Sequence, residues 1–204
     1  MKKQILLIAA IAVLVIGFAS ACGGGSQLPR PDVSFAFNMN DLDDRSIPSA
    51  RRYHMDVRID EEVTPEQIED IARFVAQQIK NDRDFQALTM WFFDHRSQIQ
   101  HGMSASLGGA TYAPGGVLAN AADVRLGDYD AFEFDFNIWN KDWSIRPTAK
   151  ELDIFGRFYA MVYVSGNDEQ LTREIIAERS EITEDELDDI IYRSREWIMQ
   201  RIRR

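Results

Sequence analysis

The chain has 204 residues, of which 45% are hydrophobic and 27% are charged, a composition typical of one ordinary globular domain with accessory segments. Its 33 acidic and 23 basic residues give a formal net charge of -10 at pH 7, which argues against nucleic acid as a partner because phosphate binding requires a cationic surface. The single cysteine, Cys22, excludes an internal disulfide, so the fold depends on apolar burial and hydrogen bonds.

The first 21 residues have the three parts of a secretory signal peptide. Lys2 and Lys3 provide a cationic start, residues 5–18 form an uncharged apolar run, and small residues precede Cys22. The apolar run has about 14 residues, whereas a permanent transmembrane helix requires about 20. We therefore expect a cleaved signal peptide rather than a retained transmembrane anchor.

The residues around Cys22 resemble the lipobox of bacterial lipoproteins. Ser20 and Ala21 match the small residues that precede the family's invariant cysteine, and Ala19 stands where the family usually has leucine. The resemblance implies that Cys22 carries acyl chains such as palmitate and tethers the protein to a membrane of the cell envelope. In Gram-negative members of the family, an aspartate after the cysteine retains the protein in the inner membrane. This chain has Gly23 there, so the resemblance implies an outer-membrane location facing the periplasm if the source is Gram-negative. The same small residues fit an ordinary signal peptidase site, which would release a soluble protein.

The sequence predicts four segments. They are a signal peptide at 1–21, the lipidated cysteine and a flexible linker at 22–50, an α+β sheet domain at 51–145, and a helical segment packed on it at 146–204. The linker prediction comes from the glycine and proline content of 23–31, and regular periodicity begins only after residue 50.

The sheet domain opens with a strand, a helix and a second strand. Residues 53–59 alternate apolar and polar side chains, which is the period of a half-buried strand. Thr64 then begins a helix, with Pro65 at the first helical position and Gln67 completing a capping box. Residues 85–93 are apolar on both faces, as in an inner strand, so this order predicts two parallel strands joined by a crossover helix.

The remaining elements complete an α+β fold. Glycine-rich turns surround a short strand near 111–113, residues 132–138 alternate as a further strand, and a short helix is expected at 169–179. Capping boxes predict two more helix starts, at Thr148 with Glu151 and at Thr183 with Glu186. We therefore expect a small mixed sheet opened by a β-α-β unit, with one face covered by helices and a C-terminal helical segment.

The body also resembles the small exported α+β domains of uncharacterised bacterial lipoproteins. The resemblance depends on the strand-helix-strand opening, on the Ala-Pro-Gly-Gly turn at 113–116 and on Gly-Asp-Tyr at 127–129. These motifs carry no known chemistry, so the resemblance implies a fold and a location but no reaction.

Two features are candidates for a binding surface. The polar faces of two strands could form one surface if the strands are near each other, and a predicted loop between two tryptophans could line a groove. The candidate residues are His54, Asp56, Arg58, Glu133, Asp135, Trp139 and Trp143.

The three histidines are His54, His95 and His101. His95 and His101, together with Asp94, could supply metal ligands, but their spacing matches no zinc pattern. We therefore interpret them as surface histidines and expect no metal, no cofactor and no catalytic residue. The predicted function is a lipid-anchored, non-catalytic module that binds an envelope protein or another envelope component. The alternative is an envelope hydrolase or metal-dependent enzyme that uses His95 and His101 or the acidic sheet face.

Overall fold

The structure, a computed structural model, describes residues 37–201. The predicted signal peptide, Cys22 and most of the predicted linker lie outside these residues. The strands are β1 (Phe37–Met39), β2 (Asp43–Asp44), β3 (Arg52–Ile59), β4 (Ala87–Phe93), β5 (Gly108–Pro114) and β6 (Phe132–Ile138). The helices are α1 (Pro65–Asp82), α2 (Arg96–Gln100), α3 (Ala149–Tyr159), α4 (Glu169–Ser180) and α5 (Glu184–Met199). Short 3₁₀ helices occupy Leu118–Asp123 and Trp143–Ile145, and a π-helix occupies Ala160–Val164.

Within residues 37–201, six strands form one mixed sheet in the order β1-β3-β4-β5-β6, with β2 also paired to β3. Strands β3 and β4 are parallel and α1 connects them, whereas the other pairs are antiparallel. The predicted α+β fold is therefore confirmed, including the β-α-β unit and the C-terminal helical segment. The β-α-β unit does not open the sheet, because β1 and β2 precede it; both strands lie within the predicted linker at 22–50 and pair with β3.

Helix α1 begins where the sequence predicts. The Thr64 side chain accepts a hydrogen bond from the Gln67 backbone at 3.3 Å, and Gln67 Oε1 accepts one from the Thr64 backbone at 2.8 Å. The helix buries an apolar stripe that includes Ile68, Ile71 and Val75. This stripe packs on one face of the sheet and forms the main apolar core.

The strand register separates the two faces of the sheet. Tyr53, Leu88, Tyr112 and Phe134 are neighbours across β3 to β6, and all four contribute to the core beneath α1. Because successive side chains of a strand point to opposite sides, the residues between them lie on the other face. That second face, which we call the open face, carries no long helix among the described residues; the 3₁₀ helix at Leu118–Asp123 contacts β4 and β5.

Strand β5 is longer than the sequence predicts, because two glycines that the sequence pattern assigns to a turn belong to the strand. A side chain at Gly108 would place its Cβ 2.2 Å from the Asn137 carbonyl oxygen, and one at Gly109 would lie 2.9 Å from the Met90 carbonyl oxygen. The glycines therefore permit close approach of the neighbouring strands.

Helices α3, α4 and α5 enclose a second apolar core in which Leu152, Phe158 and Trp197 are fully buried. Both predicted capping boxes are present at the starts of α3 and α5. Trp143 contacts this core and the core of the sheet, so the helical segment packs directly on the sheet domain.

Candidate functional site

The open face brings together polar side chains from β3 and β4. His54, Thr89, Thr111 and Asp135 form one row across β3, β4, β5 and β6, because each is paired with the next in the sheet register. Asp56, Trp91, Gly109 and Asn137 form the next row.

The predicted polar residues of β3 and β6 do not form one contiguous site. Asp135 is three strand positions from His54, and a spacing of about 4.8 Å per strand places them about 14 Å apart. Glu133 belongs to the same strand as Asp135 and is exposed. The sequence prediction required the two strands to be near each other, and in the sheet β4 and β5 lie between them.

His54 lies at the centre of a hydrogen-bonded cluster. Its Nε2 is 2.9 Å from Asp56 Oδ1, and its Nδ1 is 2.8 Å from Thr89 Oγ1. The residue is buried, with 8% exposure, so the interpretation of His54 as an ordinary surface histidine is wrong. Its ring also meets the indole of Trp91 edge to face at a centroid distance of 4.7 Å. Burial and two partners fix the imidazole in a single orientation.

Trp91 is exposed on the open face although its strand lies inside the sheet. It belongs to an inner strand, yet 51% of it is exposed. Its Cδ1 lies 3.1 Å from the position of a Cβ at Gly109, so the indole occupies the space that the glycine leaves on the adjacent strand. Nothing in the sequence indicates this exposure, because an inner strand that is apolar on both faces is normally covered on both faces.

A cleft of about 390 Å³ lies beside Trp91. We call it the Trp91 cleft; its lining residues are Arg45, Arg52, Tyr53, His54, Thr89, Trp91 and Leu118. Asp43 forms an ion pair with Arg45 at 2.6 Å at its rim. Of the predicted polar residues, Arg58 lies further along β3 and is paired with Asp60 at 3.0 Å.

Asp94, one of the possible metal ligands, is fully buried in a different place. One oxygen accepts hydrogen bonds from Ser106 and Gln98 at 2.5 and 2.7 Å. The other accepts from Arg146 Nε at 2.9 Å and from Trp197 Nε1 at 3.0 Å. Four donors occupy the carboxylate, which joins the end of β4 to the helical segment.

The other two histidines flank α2 and belong to packing contacts. His95 is buried and caps the helix, and its Nδ1 lies 2.9 Å from Ser97 Oγ. Burial lowers the pKa of His95 and favours the neutral ring. His101, at the other end of α2, lies against Gly156 of α3. His95 is therefore not a surface histidine, and it lies beyond the end of β4, about 13 Å or more from the His54 cluster by strand rise.

In the described part of the chain, no group of three or more His, Cys, Asp or Glu residues could hold a metal ion.

The loop with the two candidate tryptophans is held by the end of α5. Lys141 Nζ donates to the Trp197 carbonyl at 2.6 Å, and burial lowers the pKa of Lys141 to about 8. Trp143 packs on Trp197 with a centroid distance of 5.1 Å and donates to the Val63 carbonyl at 3.1 Å. Trp139 is half-buried, with the Arg201 guanidinium 4.3 Å from its ring. The predicted groove between Trp139 and Trp143 would require the end of α5 to move.

Comparison with known proteins gives no match to a protein family, a curated protein or a solved structure. Across residues 37–201, none of the helices combines the length and the apolar character that a membrane span requires.

Proposed function

We propose that this chain is a lipid-anchored protein of the cell envelope whose folded domain is a non-catalytic binding module, with the open face as its binding surface. The observation that carries the proposal is the half-exposed Trp91 on an inner strand, next to the buried His54 cluster. An exposed aromatic ring beside fixed polar groups is the typical composition of a recognition site. The anchor, and with it the envelope location, rests on the lipobox resemblance at Cys22.

The alternative is an envelope hydrolase, and one observation favours it. Asp56, His54 and Thr89 form a hydrogen-bonded series like the acid, base and hydroxyl of a catalytic triad. Acyl transfer also requires free donors for the developing oxyanion. Since β4 is paired on both sides, the backbone N–H groups around Thr89 are used in the sheet. For this reason we propose binding rather than turnover.

A photo-crosslinking side chain at Thr111 tests the binding surface, because Thr111 lies in the same row as His54 and Thr89. We expect a specific adduct in the native envelope, and we expect Trp91→Ala to abolish it. The matched control carries the crosslinker at Tyr192 of α5, which is 67% exposed and lies in the helical segment. Absence of an adduct from position 111, or an adduct that persists in Trp91→Ala, would contradict the proposal.

A further inference from the structure

We infer that the ligand of the Trp91 cleft is an uncharged saccharide, with one sugar ring stacked on the indole of Trp91 and its hydroxyls hydrogen bonded to the polar side chains around it. This inference rests on the proposed binding function and adds the chemical class of the ligand.

The stacking surface is the indole itself. Trp91 is 51% exposed, and its edge-to-face contact with His54 fixes the ring. A pyranose ring presents a patch of C–H groups with partial positive charge, and such a patch packs favourably on the negative face of an aromatic ring. The contact with Gly109 holds the indole close to the sheet, so the platform is formed before the ligand arrives.

The polar groups around the Trp91 indole can form hydrogen bonds with the hydroxyls of a sugar. Thr89 lines the cleft and provides a hydroxyl oxygen, and the Arg52 guanidinium, also in the lining, provides donors. Asp56 is paired with Trp91 in the strand register and provides a carboxylate beside the indole. Arg52 Nε is buried and has no hydrogen-bond partner among residues 37–201. A hydroxyl group both donates and accepts, so it can satisfy carboxylate, hydroxyl and guanidinium groups together.

The charges favour a neutral ligand. Arg45 is paired with Asp43 at 2.6 Å, and the His54 ring is hydrogen bonded to Asp56 at 2.9 Å. Among the described residues that line the cleft, Arg52 is the cation left for a ligand, and its guanidinium can donate to the oxygen of an uncharged hydroxyl. The whole chain carries a formal charge of -10, which repels an acidic ligand at long range.

The shape of the site favours a small ring over an extended peptide. The cleft volume of about 390 Å³ lies within the range of roughly 300–1,000 Å³ that is usual for small-molecule sites. A peptide that adds to a sheet needs a free strand edge, whereas β4 is paired on both sides. Recognition at Trp91 must therefore use side chains.

Calorimetric titration tests the ligand class. The mature chain is purified from envelope membranes in lauryldimethylamine oxide, which contains no sugar headgroup, and is titrated with tetra-N-acetylchitotetraose and with cellotetraose. We expect at least one of these uncharged oligosaccharides to bind with millimolar affinity or better. We expect Trp91→Ala to weaken binding by about tenfold or more and Trp91→Phe by less, because phenylalanine keeps a smaller ring. Arg52→Met should also weaken binding, and the control Tyr192→Ala should bind as the unaltered chain does.

The inference is overturned if neither oligosaccharide binds at millimolar concentration, or if Trp91→Ala binds as tightly as the unaltered chain. The crosslinker at Thr111 distinguishes failure of the saccharide inference from failure of the proposed binding surface. A Trp91-dependent adduct without oligosaccharide binding means that the open face binds another kind of ligand. Loss of both results means that neither the ligand class nor the binding surface is correct.

Discussion

At the scale of single residues, Asp94 connects parts of the chain that are far apart in sequence. We expect Asp94→Ala to lower the free energy of unfolding by about 3–5 kcal/mol, because it removes the acceptor of the partly buried Arg146 and of the Trp197 indole. Urea denaturation of the purified chain measures this difference.

The control for Asp94→Ala is Asp153→Ala, which breaks an exposed ion pair with Arg96 at 3.5 Å. An exposed pair of this kind contributes about 0–1 kcal/mol. If both substitutions lower stability by the same small amount, the buried carboxylate does not join the sheet to the helices as we describe.

Lys141 makes the stability of the fold depend on pH. The pKa of Lys141 is about 8 in the folded protein, against an ordinary lysine value of 10.5 in the unfolded chain. Below pH 8 Lys141 is protonated in both states, so the folded protein bears the full cost of burying the charge. Between pH 8 and 10.5 the unfolded chain binds more protons, and stability therefore rises with pH. We expect a gain of about 2 kcal/mol between pH 7 and 9.5 relative to Lys141→Met.

Urea unfolding of both proteins across this pH range measures the Lys141 effect. Subtracting the unfolding free energy of Lys141→Met from that of the unaltered chain at each pH cancels the contributions of the other titrating groups. An identical pH dependence in the two proteins would show that Lys141 keeps an ordinary pKa.

The sequence predicted that polar side chains would lie on one face of β3 but not which of them would meet. Alternation assigns His54 and Asp135 to faces, whereas their separation depends on the strand order, which is a long-range property. The exposure of Trp91 was also unpredictable, since it depends on which parts of the open face remain uncovered.

At the scale of elements, the contact between α2 and α3 depends on Gly156. A Cβ at this position would lie 2.8 Å from the Ser97 Cβ and 2.9 Å from His101 Cδ2. Gly156→Ala gains about 1 kcal/mol of helix propensity, but forcing the two helices apart costs about 1–3 kcal/mol. We expect the substitution to leave stability unchanged or lower it by up to about 2 kcal/mol, as measured by urea unfolding.

The control for Gly156→Ala is the double substitution Gly156→Ala with Ser97→Gly, which removes the nearest side chain. It also removes the Ser97 hydrogen bond to the Leu152 carbonyl, so Ser97→Gly alone is measured as the reference. If Gly156→Ala lowers the free energy of unfolding by the same amount in the Ser97→Gly background as in the unaltered chain, Ser97 is not the cause of the strain.

The helix starts were predictable from the sequence because their signals are local. Thr64, Thr148 and Thr183 each form the capping box that the sequence indicates, and each box spans only four residues. Strand β5 was predicted too short for the opposite reason: the glycines at 108 and 109 are required by neighbouring strands that come from elsewhere in the chain.

At the scale of the whole molecule, the described chain begins at the end of the sheet that carries the helical segment. Phe37 pairs with Ile59 at the end of β3, and Arg146 reaches the neighbouring Asp60 carbonyl at 3.1 Å. His54 is five residues earlier on β3, about 17 Å away by strand rise. The first described residue therefore lies at the end of β3 that is away from His54.

The anchor itself is tested at Cys22. We expect the mature amino terminus to carry two or three acyl chains, which would hold the protein on the membrane because each buried methylene contributes about 0.8 kcal/mol. Mass spectrometry of the amino-terminal peptide and labelling with a palmitate analogue measure the modification. Cys22→Ala should lose the label and leave the membrane fraction, whereas the control Gly23→Ala, which keeps the cysteine and a small neighbour, should remain lipidated. An unaltered chain whose mature amino terminus lacks fatty acid would contradict the lipobox interpretation and leave cleavage by ordinary signal peptidase as the interpretation of residues 1–21.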